Sequence, residues 1–281
     1  MKFSKYHALG NVYIVIEPVE GEDTISEDQI KTLCSKNYGV SSDGVLVGPY
    51  KSEKASFGLR IFNPDGSEAE KSGNGLRIFC RFLYDNNLVE SDPFTIETKG
   101  GVVCGCVLES GRSVQVEMGM VSFSSVKIPV EGNDREVLLE DIVVGNEKMK
   151  FSAATIGNPH CVVFVDKPSE EMARRLGPII ESHPFFPNRT NVQFVKVIND
   201  GAIQIEIWER GAGYTYASGS SSCAAAAVSN RLGYCGKSVT VNMRGGQIQI
   251  DIDQSDMVTM RGSVTSICSG FVSKECFTTR I

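Results

Sequence analysis

No stretch of the 281-residue chain approaches the roughly 20 consecutive apolar residues of a membrane-spanning helix. The opening residues Met1-Lys2-Phe3-Ser4-Lys5-Tyr6-His7 lack the apolar core of a secretory signal, so a cytoplasmic protein is expected. Charge of one sign never runs on: 28 basic and 34 acidic residues leave a net −6, spread along the chain. Without a basic stripe, no nucleic-acid surface is expected. A small anion is not excluded, because local amides and one arginine can hold it within an acidic protein. The three histidines, His7, His160 and His183, are too scattered for a zinc site, and neither the dinucleotide glycine fingerprint nor the phosphate loop is present. The Gly-x-Ser-x-Gly nucleophile elbow is missing too. The nine cysteines are odd in number, and Cys104 and Cys106 stand too close together for an ordinary disulfide and lack metal-site spacing. Reduced, mostly buried thiols, no metal and no cofactor are therefore expected.

What is present is a repeat, with an offset of about 146 residues. Ala8-Leu9-Gly10-Asn11 resembles Thr155-Ile156-Gly157-Asn158, and a strand pattern follows each. Gly44-Val45-Leu46-Val47 aligns with Asn191-Val192-Gln193-Phe194, and Leu59-Arg60-Ile61-Phe62-Asn63 with Ile205-Glu206-Ile207-Trp208-Glu209. Ser72-Gly73-Asn74-Gly75 pairs with Ser218-Gly219-Ser220-Ser221, and a helical run follows both, over 76–84 and 222–232. Lys99-Gly100-Gly101 and Arg244-Gly245-Gly246 then turn one strand into the next. Five matches in one order predict two copies of a single strand-rich unit. The predicted class is α/β (α+β), with two pseudo-symmetric domains, each a mostly antiparallel sheet wrapped around a central buried helix. The predicted halves are 1–118, completed by about 265–281, and 119–264.

The helices carry the functional signal. Cys223-Ala224-Ala225-Ala226-Ala227-Val228 is small and apolar all round, which predicts burial. Each helix starts with a Gly/Ser-rich turn whose first N–H groups lack helical partners and favour an anion. Taken singly, Ser72 and Ser218 need be no more than N-caps. Pseudo-symmetry changes that reading, since two such turns could share one cleft. Asn11, Asn63, Asn158, Asn191, Glu209 and Arg210 sit at strand ends around them, although asparagines also form turns, Asn158-Pro159 fits a turn fixed by His160, and Glu209-Arg210 could be a surface pair. A ligand with both ammonium and carboxylate groups would suit this set.

At these residues the chain closely resembles the diaminopimelate epimerases. The matching stretches are His7-Ala8-Leu9-Gly10-Asn11, Asn63-Pro64-Asp65-Gly66-Ser67-Glu68, Gly73-Asn74-Gly75-Leu76-Arg77, Gly157-Asn158-Pro159-His160 and Trp208-Glu209-Arg210-Gly211-Ala212-Gly213. Gly177-Pro178, Glu181-Ser182-His183 and Phe186-Pro187 match as well. The resemblance implies a cofactor-independent isomerase, with a cysteine at each central helix start. One, as thiolate, removes the α-proton of diaminopimelate; the other, as thiol, returns a proton to the opposite face. It places recognition roles on Asn11, Asn63, Asn158, Asn191, Glu209 and Arg210, and on the turn amides of Gly73, Asn74, Gly219 and Ser220. It also implies a homodimer.

The chain departs from that pattern where the chemistry lies. Ser72 and Ser218 occupy both cysteine positions, and Gly44 stands where a glutamine is often found. A thiol ionises near pH ~8.5 and a helix dipole lowers that further, whereas an alcohol is a far weaker acid. Lys71 is the neighbouring cation that could assist, if it turns toward the site. Three readings follow: serines introduced to trap a substrate, a natural branch with weakened or altered chemistry, or a protein that binds an amino acid without converting it. The run Ser220-Ser221-Ser222 favours the natural branch, because a designer would change only two positions.

Overall fold

A computed structural model describes residues 1–18 and 25–278. Two compact units are found, Met1–Val116 with Gly262–Ile281, and Glu117–Arg261. The first contains β1 (Lys2–Ala8), β2 (Asn11–Ile16), α1 (Glu27–Cys34), β3 (Val45–Tyr50), β4 (Phe57–Phe62), β5 (Glu68–Ala69), α2 (Gly73–Asp85), β6 (Phe94–Thr98) and β7 (Gly101–Leu108). The chain leaves it within β8 (Ser113–Met120). The second holds β9 (Glu140–Val144), β10 (Glu147–Thr155), β11 (Pro159–Phe164), α3 (Glu170–Glu181), β12 (Asn191–Asn199), β13 (Ala202–Glu209), β14 (Gly213–Thr215), α4 (Gly219–Arg231), β15 (Ser238–Met243) and β16 (Gly246–Ile252). The chain returns within β17 (Met257–Ser263), and β18 (Thr265–Phe271) pairs antiparallel with β1, Lys2 opposite Phe271.

The strands follow from period-two patterning. In β13, Ile203, Ile205 and Ile207 point inward, as do Ile248, Ile250 and Ile252 in β16, while the residues between them are more exposed. Pairing within each unit runs in one order. In the first, β1–β2 and β3–β4 are antiparallel, β2–β3 and β4–β6 parallel, and β6–β7 antiparallel. In the second, β10–β11 and β12–β13 are antiparallel, β11–β12 and β13–β15 parallel, and β15–β16 antiparallel. Parallel neighbours require a crossover, and each of these four carries one α-helix. The repeat read from sequence is thus a repeat of strand order, and the pairing within each unit is mostly antiparallel.

The helix over which each sheet folds is buried for a different reason in each copy. Helix α4 presents residues so small that β10, β11, β12, β13, β15 and β16 all approach it; Cys223 to Ala226 and Val228 are fully buried. Helix α2 instead fills its unit with Leu76, Ile78, Phe79, Phe82 and Leu83, and Phe79 and Phe82 stack at 6.2 Å. Both helices start earlier than the apolar runs, at Gly73 and Gly219, because Ser72 and Ser218 are extended N-caps (φ −140° and −144°) that accept from the amides of Gly75 and Ser221. The Gly/Ser-rich turns are therefore the first helical turns.

Close packing around α4 leaves no room for added volume. Ala225→Leu is expected to destabilise the protein by about 1–3 kcal/mol. Thermal unfolding measures this; an unchanged midpoint would mean that the small-residue contact is not tight.

Candidate functional site

Serine caps all four α-helices of the described residues: Ser26, Ser72, Ser169 and Ser218 each accept from the amide three residues on. Capping alone therefore marks no site. Ser26 and Ser169 are exposed, whereas Ser72 is half-buried and Ser218 buried, and only the latter two start the central helices.

In the first unit, Ser72 Oγ accepts from the Gly75 amide at 3.1 Å and lies 3.2 Å from the Tyr13 hydroxyl. Beside it runs a chain of amides. Arg77, fully buried in α2, donates to Asn74 Oδ1 at 2.5 Å, Asn74 Nδ2 donates to Asn11 Oδ1 at 3.0 Å, and Asn11 Nδ2 donates to Asp43 at 3.1 Å. The same Asp43 oxygen accepts the Val12 amide at 2.8 Å. These bonds fix both amide orientations, so Asn11 and Asn74 are held in a determined pose. Asn63 is elsewhere occupied: it closes the exposed β4–β5 turn, where its side chain donates to Ser67 Oγ at 3.0 Å and its amide to the Ser67 carbonyl at 2.9 Å.

In the second unit, Asn158 donates to Ser220 Oγ at 3.5 Å and lies 3.0 Å, through Oδ1, from His160 Nε2. His160 Nδ1 is 3.1 Å from Gln193 Nε2, which also donates to Ser221 Oγ at 3.0 Å. With the two amides in these orientations, the Asn158 carbonyl accepts and the Gln193 nitrogen donates, which sets the imidazole proton on Nε2 and leaves Gln193 Oε1 buried without a hydrogen-bond partner among the described residues. Burial, reinforced by the Arg210 charge, pulls this imidazole down to about 3, so it is neutral. His160 does hold the local turn, as its sequence position suggested, through its bond to Asn158. Pro159 already opens β11, where its missing N–H falls at a strand start, and His160 is a buried strand residue that ties Asn158 to Gln193.

Asn191 is also buried, donating to the Pro159 carbonyl at 2.9 Å and accepting the Arg210 amide at 3.0 Å. The Arg210 side chain is exposed and donates to the Asn188 carbonyl at 3.0 Å. Glu209, half-buried, ends β13. What shapes this corner is Glu181. Its buried carboxylate accepts Trp208 Nε1–H at 2.6 Å and the Gly211 amide at 2.8 Å, and pairs with Arg189. Gly177 makes room for the Trp208 ring: a Cβ there would lie 2.5 Å from Trp208 Cγ. Sequence reasoning gave no role to Tyr13, Asp43, Arg77, Glu181 or Gln193, since each acts through a neighbour distant in the chain. Matching stretches offered a signal only for Arg77 and Glu181.

The two copies can be set in register by their parallel ladders. Ile14 faces Val45 in one, and Cys161 faces Val192 in the other. Tyr13 thus corresponds to His160, and Gly44 to Asn191. Each unit offers a helix N-terminus with a hydroxyl at its cap, which suits a carboxylate and a proton-exchanging group. The cysteines do not compete for that role: burial pushes the Cys80 and Cys161 thiols up, and Cys223 lies inside α4. Among the described residues, no cluster of histidine, cysteine or acidic side chains could hold a metal, and no helix is long and apolar enough to cross a membrane.

The sequence profile described as "Diaminopimelate epimerase" matches residues 3–124 and 152–267. The chain is 56% identical over 277 residues to "Diaminopimelate epimerase 2" of Nostoc sp., covering 99% of this chain and 97% of that one. It is 39% identical to "Diaminopimelate epimerase" of Caldanaerobacter subterraneus subsp. tengcongensis, with 96% and 98% covered. Solved structures share the fold at low identity. A hydroxyproline epimerase from Agrobacterium vitis gives a TM-score of 0.67 at 18% identity, with 96% and 91% covered. A methylitaconate-delta-isomerase gives 0.65 at 11%, with 100% and 97% covered.

The buried imidazole has a pH signature. Folded His160 stays neutral down to about 3, while the unfolded chain takes up that proton near pH ~6.5. Between these values the unfolded state binds more protons, so stability falls as pH is lowered, by up to about 1.4 kcal/mol per pH unit. His160→Gln is expected to flatten the acid slope by about one proton in urea unfolding; an unaltered slope would mean that the folded imidazole is protonated.

Proposed function

The chain belongs to the diaminopimelate epimerase family, and from that premise we propose that it interconverts LL- and meso-diaminopimelate, or a closely related amino acid, without a cofactor. The observation that carries the reading is the pair of hydroxyls at the starts of the two central helices, Ser72 and Ser218, each held by the amide three residues on. One takes the α-proton, and the other returns a proton to the opposite face of the same carbon. The electron pair left by the broken C–H bond forms the new one, so configuration inverts and the two hydroxyl groups exchange protonation states.

The amides of Gly73, Asn74, Gly219 and Ser220 hold the α-carboxylate at the positive helix ends, which also stabilises charge developing at the α-carbon. Asn11, Asn63, Asn158, Asn191, Glu209 and Arg210 recognise the ammonium groups and the distal carboxylate. The pre-set pose of Asn11 and Asn74 supports this assignment, because polar groups already fixed lose little freedom on binding. The active form is a cytoplasmic homodimer.

A second reading is favoured by the same serines. A hydroxyl that caps a helix can touch a carboxylate and go no further, which makes the protein an amino-acid-binding relative.

Proton NMR in deuterium oxide with LL-diaminopimelate separates the two. Loss of the α-proton signal with appearance of the meso form is the expected result. Saturable binding with no exchange for any amino acid tried would replace the enzyme by the binding protein. In either case, Arg210→Ala is expected to weaken binding by at least about 100-fold, the cost of losing a charged partner in a site; unaltered affinity would remove the carboxylate assignment.

A further inference from the structure

We propose that Tyr13 is the proton partner of Ser72, a positioning residue whose phenol orients the Ser72 hydroxyl and exchanges a proton with it. The inference rests on the acid/base reading of Ser72 and supplies what that reading lacks, a group to share the burden with an alcohol.

The geometry is specific. The Tyr13 hydroxyl lies 3.2 Å from Ser72 Oγ, and either atom can be the donor. Ser72 Oγ already accepts from the Gly75 amide at 3.1 Å. The hydroxyl is therefore bracketed by a fixed donor on one side and a group that can give or take a proton on the other. The Tyr13 ring is buried, 7% exposed, and its position depends on Gly44. A Cβ at position 44 would lie 2.4 Å from Tyr13 Cε1 and 3.0 Å from Cδ1. A side chain at 44 and this ring placement exclude one another, so Gly44 clears the space through which the phenol reaches Ser72.

The chemistry fits that placement. A phenol ionises near pH ~10, a thiol near ~8.5, and an alcohol far higher. A lone serine that gave up its proton would be left as an alkoxide. With Tyr13 in contact, Ser72 delivers its proton to the carbanion carbon while the phenol proton moves onto Ser72 Oγ, and the negative charge rests on the phenolate. In reverse, Ser72 Oγ takes the α-proton as its own proton passes to the phenolate. Each direction breaks and forms the same number of O–H and C–H bonds and requires no further reactant. The other copy is built differently. At the position of Tyr13 stands His160, whose contacts lead through Gln193 to Ser221. The phenol is thus matched to one serine of the two.

The test is kinetic, with α-proton exchange and epimerisation followed in the native chain, Tyr13→Phe, Ser72→Ala, Ser72→Cys and the Tyr13→Phe/Ser72→Cys double variant. Tyr13→Phe keeps the ring in its slot and is expected to lower kcat by about 100-fold, with KM within about twofold. In the Ser72→Cys background the same change is expected to alter kcat by less than about threefold, because a thiol needs no such partner. A kcat for Tyr13→Phe close to native would overturn the proposal. An equal loss in both backgrounds would do the same, since it would mark a structural role. If the native chain shows no exchange, or Ser72→Ala retains it, the acid/base reading of Ser72 fails and the role of Tyr13 falls with it. If Ser72→Ala is inactive and Tyr13→Phe is not, Tyr13 alone is refuted.

Discussion

Both central helices begin inside the protein, and a buried helix start must satisfy amides that have no acceptor within the helix. This requirement fixes most of what surrounds α2 and α4. Ser72 and Ser218 answer it at the caps, at a contribution of about 1 kcal/mol each. That amount explains a serine but not its surroundings, since Ser26 and Ser169 cap the exposed helix starts without any comparable framework. Around Ser72 and Ser218 the sheets bring up asparagines, a buried arginine, a buried neutral histidine and a buried glutamine, each tied to another. Buried polar groups of this kind are costly unless they are fully partnered, so they do not accumulate around a helix start for capping alone.

The two copies solve the same problem with different side chains. Where one has Gly44 and Tyr13, the other has Asn191 and His160 on the same ladder positions. Removing the side chain at 44 lets a large ring lean across the strand toward the helix cap. Keeping one at 191 instead ties the strand end to Pro159 and Arg210 and leaves the smaller imidazole to bond within the sheet. In the proposed reaction one group gives a proton while the other takes one, so the two copies have no need of equal partners.

The corner that carries Arg210 shows how indirectly an exposed side chain can be placed. The Arg210 side chain donates to the Asn188 carbonyl. Its backbone is held from both sides, by Asn191 on its own amide and by Glu181 on the next amide and on Trp208. The Trp208 ring in turn requires a glycine at 177. A loop positioned by a buried carboxylate, an aromatic ring and a strand end can present an exposed cation in a constant place while leaving its guanidinium in water.

Much of this protein was legible in its sequence because the relevant signals are local or periodic. Alternating isoleucines in 203–207 and 248–252, the all-round small face of 223–228, and the doubled Gly/Ser turns require no knowledge of distant contacts. They determined the fold class, the duplication, the central helices and the two serines at their starts. Asn11, Asn158, Asn191 and Arg210 stood out by their places at strand ends and received recognition roles from the family resemblance, and the structure ties the first three into buried or half-buried networks, while it occupies Asn63 with its own turn. The partners of these residues were decided by tertiary structure alone. Tyr13 meets Ser72 across 59 positions, Gln193 meets Ser221 across 28, and Trp208 meets Glu181 across 27. Nothing periodic links such pairs. They are set by which strands lie side by side and by the space a neighbour leaves, as Gly44 leaves it for the Tyr13 ring, and that space exists only once the sheet has closed over the helix.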